Sequence, residues 1–181
     1  MLRTLSAIRR FCTSRGHHTE SRRFLDRALI ATGADRNVHR CRGLIAAGNH
    51  AEDQGDLDTA QEYFARAQEL AIALGNKTAE AQALIGLGYV AHDSGDYETA
   101  MDVHGRAEAL AREIGDQRSV GIALSNLASV SYYQGKLVDA EHSWEEAGAI
   151  SKLLGDHLSE AIAFGNLGAV AVDRGEYDSA E

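Results

Sequence analysis

The sequence predicts an all-α solenoid of antiparallel helix pairs, and three observations carry that expectation. Gly55, Gly95, Gly135 and Gly175 lie 40 residues apart, and Gly75, Gly115 and Gly155 keep the same interval. Ala60, Ala100, Ala140 and Ala180 repeat it again. Between the glycines, apolar residues fall three and four apart, the spacing of one stripe along a helix, and the chain of 181 residues contains no proline. Aromatic residues make up only 6%, which puts a sheet-rich fold at a disadvantage.

Composition narrows the class. Hydrophobic residues amount to 44% and charged ones to 25%, enough apolar matter for a core, and no apolar run approaches the ~18–20 residues needed to cross a bilayer. A membrane partner is therefore not expected. The net charge of -9 is uneven: residues 1–42 hold ten Lys/Arg against three Asp/Glu, and residues 43–181 hold eight against 24. An acidic body repels phosphates, so direct nucleic-acid binding is not expected. Cys12 and Cys41 form neither a disulfide framework nor a zinc motif, which suits a reducing compartment and points to the cytoplasm.

The elements follow in order. Met1 to Arg15 carries four arginines and no acid, a composition that also suits a transit peptide. The repeat accounts for it better: Gly16, Ser21, Leu25 and Ala28 precede Gly55, Ala60, Phe64 and Ala67 by 39 residues, so residues 1–35 form an atypical opening unit with Leu5, Ile8 and Cys12 on its first helix. Residues 36–75, 76–115 and 116–155 are full units, and 156–181 is an incomplete one; together they form a single array. The first helix of each unit buries Leu84, Leu87, Gly88 and Ala91, or Leu124, Leu127, Ala128 and Ser131, or Phe164, Leu167, Gly168 and Ala171. The second buries Ala60, Phe64, Ala67, Leu70 and Leu74, then Ala100, His104, Ala107, Leu110 and Ile114, then Ala140, Trp144, Ala147, Ile150 and Leu154. Each helix should run roughly 14–18 residues before a tight turn.

The turns have a mechanism. Gly55, Gly95, Gly135 and Gly175 can take the left-handed conformation that ends a helix, and Asp56, Asp96 and Glu176 then set a carboxylate on the positive end of the next. Asn76, Asp116 and Asp156 are caps of the same kind, and Lys136 is the exception. Gly48, Gly88 and Gly168 sit mid-stripe, where glycine costs ~1 kcal/mol of helix propensity; close approach of the paired helix supplies the reason. At the other end, Phe164, Leu167 and Val170 should lack a partner helix, because the chain stops a few residues into its last second helix.

Leu84-x-x-Leu87-Gly88-x-x-Ala91, followed by Gly95-Asp96-Tyr97, Ala100 and Ala107, resembles the tetratricopeptide repeat signature. The 40-residue unit, with Asn126-Leu127-Ala128 and Asn166-Leu167-Gly168, is similar to the repeats of kinesin light chains and to the C-terminal repeat region of large bacterial ATP-binding transcriptional regulators. The run from Arg15 to Leu29 is similar to the opening repeat of those regulators. The resemblance implies a TPR-like right-handed superhelix with first helices along its concave side. It also implies a protein-binding scaffold, the interaction or sensor region of a regulator.

The residues offer no competing chemistry. Gly86-Leu87-Gly88 lies mid-helix with no strand before it, so it is no dinucleotide loop, and a phosphate-binding Gly-x-x-x-x-Gly-Lys motif is absent. His17 and His18 diverge on a helix, while His39, His50, His92, His142 and His157 are isolated among surface-type residues; no three converge as a zinc site needs. His104 replaces the bulky Phe64 and Trp144 and reads as a core histidine. Neither an enzyme, a metal nor a cofactor is expected.

A peptide groove is. The resemblance places it on the first-helix face opposite the packing stripe, where columns at 40-residue intervals bring together Asn49, Tyr89 and Ser129; His92 and Tyr132; Tyr133; and Ala46, Gly86, Asn126 and Asn166. Amides can grip backbone groups and phenols give contact area. The resemblance gives Asn126 and Asn166 the role of bonding a peptide backbone; the competing reading has them satisfy polar groups within the array. The groove offers Arg42 alone as a base against Glu52, Asp53, Asp93 and Asp173, so partners should be neutral to basic proteins or peptides, or adjacent domains of a longer parent chain. A purely structural or intramolecular repeat fragment with no ligand of its own is the alternative.

Overall fold

The computed structural model describes residues 37–175 together with Arg27, Leu29 and Ile30, so most of the opening unit and the capping place at Glu176 lie outside the described residues. Seven helices and no strand occur among the described residues: α1 Val38–Glu52, α2 Leu57–Ala73, α3 Lys77–Asp93, α4 Tyr97–Glu113, α5 Gln117–Tyr133, α6 Leu137–Leu153 and α7 His157–Asp173. From α2 onward every helix has 17 residues and every link has three, so two helices with their links make the repeat of 40 seen in the sequence.

The links explain that regularity. All seven spaced glycines, from Gly55 to Gly175, have φ between 62° and 78°. At Gly55, Gly75, Gly115, Gly135 and Gly155 the glycine N–H turns back to the carbonyl three residues earlier, and the next N–H reaches the carbonyl five earlier, as in Gly55 to Glu52 and Asp56 to Ala51. The residue after the glycine then caps the following helix. Side chains of Asp56, Asn76, Asp96, Asp116 and Asp156 accept from the backbone N–H of Thr59, Ala79, Thr99, Ser119 and Ser159 at 3.0–3.3 Å.

The caps have a pH signature. Hydrogen bonds from the Thr99 hydroxyl and N–H hold the Asp96 carboxyl below its ordinary range, and the Ser159 N–H does the same for Asp156. A depressed carboxyl stabilises fully above its unfolded pKa, so these caps fade as the solution is acidified through their folded values.

Lys136 occupies the same place with similar backbone angles, φ -84° and ψ 64°, but makes no side-chain cap bond. Lys136→Asp should therefore stabilise the protein by about 0.5–2 kcal/mol, supplying an acceptor and removing a cation from a helix N-terminus. Urea unfolding at neutral pH checks this, and an unchanged or lower midpoint contradicts it.

The described residues divide into two compact units, one ending at Ser94 and the other beginning at Gly95. In the first, α2 lies between α1 and α3. Leu44 and Ala47 of α1, Ala67 and Leu70 of α2 and Ala83 of α3 share one cluster; Ala51, Ala60, Phe64 and Val90 share another. Phe64 is 1% exposed, and its ring occupies the space a side chain would need at both Gly48 and Gly86. Helix α3 thus carries a second buried stripe, Ala79, Ala83, Gly86 and Val90, against the preceding helix, beside the one containing Leu84, Gly88 and Ala91.

That second stripe corrects two expectations. Ala46 and Gly86, expected on the open face, are buried. His50, expected among surface residues, is fully buried, because it holds the stripe position that Val90, Val130 and Val170 fill in later repeats.

In the second unit, α5 packs between α4 and α6. Ala111, Val120, Leu124, Ala147 and Ile150 form one cluster, and Ala128, Ala140, Trp144 and Val170 form another that reaches α7. His104 is buried, as its place among Phe64 and Trp144 implied. Leu127 is only half-buried, its stripe neighbour Leu124 being the deeper residue. On α7, Phe164 is 61% exposed, whereas Val170, expected to lack cover, is 1% exposed because it faces α6.

Candidate functional site

In the first unit, Asn49 on α1 and Tyr89 and His92 on α3 are half-buried. The helical turn sets His92 beside its neighbour, with Nδ1 3.1 Å from Asp93 Oδ1. This half of the predicted set brings amide, phenol and imidazole to the two first helices of the unit.

The second unit builds a side-chain cluster. Tyr132 and Tyr133 end α5, and their rings meet edge to face with centroids 6.0 Å apart. Tyr133, 62% exposed, stacks on Tyr97, the first residue of α4, at 5.9 Å and 5° between planes. Tyr132 leans on the buried indole of Trp144 at 5.8 Å and donates its hydroxyl to Asp173 Oδ2 at 2.5 Å. That donated bond pushes the Tyr132 phenol above its ordinary pKa, since ionisation would lose the bond and set two anions together. Ser129, one turn back, donates to the Ser125 carbonyl at 3.0 Å.

The two asparagines sit differently from the tyrosines. Asn126 and Asn166 are half-buried and occupy the stripe that in α3 holds Gly86, facing the preceding second helix. Asn126 Nδ2 is buried with no hydrogen-bond partner among the described residues, as is Trp144 Nε1. A buried unsatisfied donor costs about 1–3 kcal/mol. Tyr97, which in the sequence is part of the turn signature Gly95-Asp96-Tyr97, joins the cluster, and Asp173 stands apart from the other acids of the predicted groove by its bond to Tyr132.

Reactive groups are scarce among the described residues. The Cys41 thiol is buried, donates to the Ala67 carbonyl at 3.3 Å and is pushed up in pKa by desolvation, the opposite of what a nucleophile needs. Among the described residues no three His, Cys, Asp or Glu side chains are grouped to hold a metal ion, and no helix is long and apolar enough to cross a membrane.

Comparison with known proteins agrees with this architecture. The family described as tetratricopeptide repeat matches residues 40–113 and 119–181. No curated protein matches the chain. Among solved structures, BtubC (BKLC) from P. vanneervenii superposes with a TM-score of 0.80 at 18% identity, over 97% of this chain and 74% of that one. A Rap protein complexed with competence and sporulation factor gives 0.84 at 15% identity, over 95% and 48%. A signal transduction ATPase with numerous domains from Pyrococcus horikoshii, which carries a tetratricopeptide repeat sensor, gives 0.77 at 13%, over 94% and 27%. At such identities the likeness is one of fold.

Proposed function

From the premise that the chain belongs to the tetratricopeptide repeat family, we propose that it is a cytoplasmic protein- or peptide-binding scaffold, the interaction or sensor region of a signalling or transcriptional regulator. The observation that supports this reading best is the exposed ring of Tyr133, joined through the half-buried Tyr132 and Tyr97 to Asp173. Such a surface offers contact area at low side-chain entropy, and the acidic balance of the repeats favours neutral or basic partners. The similar Rap structure carries a bound factor and the similar ATPase carries a repeat sensor, which lends the regulator assignment its direction. The chain binds; it does not catalyse.

In this proposal Asn49, Tyr89 and His92 contact a partner on the first unit and Ser129, Tyr132 and Tyr133 contact one on the second, with Asn126 and Asn166 bonding the partner's backbone. A second reading has one observation in its favour: Asn126 is half-buried on the stripe that faces the preceding second helix, where an asparagine can serve the packing of the array itself. An Asn126→Ala plus Asn166→Ala variant separates the two. Loss of co-purifying partners, with the helical circular dichroism intact, is the expected result. Unchanged partners would remove the asparagine contacts from the groove and favour a structural fragment.

A further inference from the structure

The tyrosine cluster of the second unit includes an exposed carboxylate, Asp173. Asp173 Oδ2 accepts the Tyr132 hydroxyl, and no cation among the described residues pairs with this carboxylate. The arginines of the unit are engaged elsewhere: Arg106 with Asp102, Arg112 with Glu108 and Glu146, and Arg118 with Asp156. Arg174, next to Asp173 in the chain, turns to Glu141. Residues 95–181 hold six Lys/Arg against sixteen Asp/Glu, so a cation arriving from outside meets attraction.

We infer that Tyr97, Tyr132, Tyr133 and Asp173 form a seat for an arginine side chain of a bound protein or peptide. The inference rests on the binding reading above and names the chemistry of one partner residue. The guanidinium lies flat against Tyr133, whose ring the stack on Tyr97 holds in place, and donates to the Asp173 carboxylate. Arginine suits this better than lysine, because a planar fork can stack on a ring and bond a carboxylate at once, whereas an ammonium is a hydrated point charge. The Tyr132 hydroxyl orients the carboxylate beforehand, which lowers the cost of ordering it on binding.

The test uses the whole chain, labelled with nitrogen-15, titrated with acetyl-Gly-Gly-Arg-Gly-Gly-amide and with the same peptide carrying lysine or the neutral isostere citrulline. The arginine peptide should shift the amide signals of Tyr97, Tyr132, Tyr133 and Asp173 and saturate. The lysine peptide should bind several-fold more weakly, and the citrulline peptide should not saturate. Asp173→Asn, isosteric at an exposed site, should lower arginine-peptide affinity about tenfold without moving the thermal midpoint. Tyr133→Ala should lower it comparably. Equal binding of citrulline, full affinity in Asp173→Asn, saturation at other residues only, or no saturable binding would each overturn the seat. If the seat fails while the double asparagine variant still loses its partners, the groove stands without it.

Discussion

Phe64→Ala is expected to cost the first unit about 3–5 kcal/mol and to reverse the sign of a second substitution, Gly86→Ala. The ring is wedged between α1 and α3. A Cβ on Gly48 would lie 2.7 Å from Phe64 Cε1, and one on Gly86 would lie 2.6 Å from Phe64 Cζ and nearer still to the ring edge. Phe64 cannot swing away, because it is enclosed by Ala51, Ala60 and Val90. In the native background Gly86→Ala therefore sets a helix-propensity gain of ~1 kcal/mol against an overpacking loss of about 1–3 kcal/mol, and a net loss is expected. Once Phe64 is alanine the clash is gone, and the same methyl group should stabilise by about 1 kcal/mol. Urea unfolding of the four proteins as a double-mutant cycle reads this. Stabilisation by Gly86→Ala alone would contradict the wedge.

Trp144→Ala carries the other large effect, about 3–5 kcal/mol, concentrated in the second unit. Its indole fills the space between Ala128 on α5 and Val170 on α7 and supports the Tyr132 ring. In repeat proteins each element touches only its neighbours, so a local loss need not spread. Hydrogen exchange is the suitable measurement: protection should fall along α5, α6 and α7 and hold along α1 and α2. A uniform fall throughout the chain would show a single cooperative block. Tyr133→Ala, removing a mostly exposed ring, should cost less than about 1.5 kcal/mol, the worth of its stack.

The legibility of these features in the sequence follows from their physics. A helix that must stop at a left-handed residue advertises glycine, and an N-terminus that must satisfy its own N–H groups advertises Asp or Asn. Gly55 with Asp56 and Gly75 with Asn76 were therefore readable one residue at a time. The stripe of Ala79, Ala83, Gly86 and Val90 was not, because small residues give little hydrophobic contrast and their burial is imposed by a helix earlier in the chain. His50 was misplaced for the same reason. The candidate site was legible in part. Tyr132 and Tyr133 stood out as phenols on a first helix, but Tyr132 meets Asp173 across 41 residues, one beyond the repeat, so columns drawn at 40 paired it with Val172 instead.

The link residues described above belong to two helices simultaneously. Asp56 donates its N–H backwards to Ala51 and accepts forwards from Thr59, and Asn76, Asp116 and Asp156 do likewise. An inserted or deleted residue at such a junction would break the end of one helix and the start of the next in one stroke. Length variation in descendants of this chain is thereby channelled away from the junctions, toward gain or loss of an entire hairpin, and the ruler-like pitch is self-preserving.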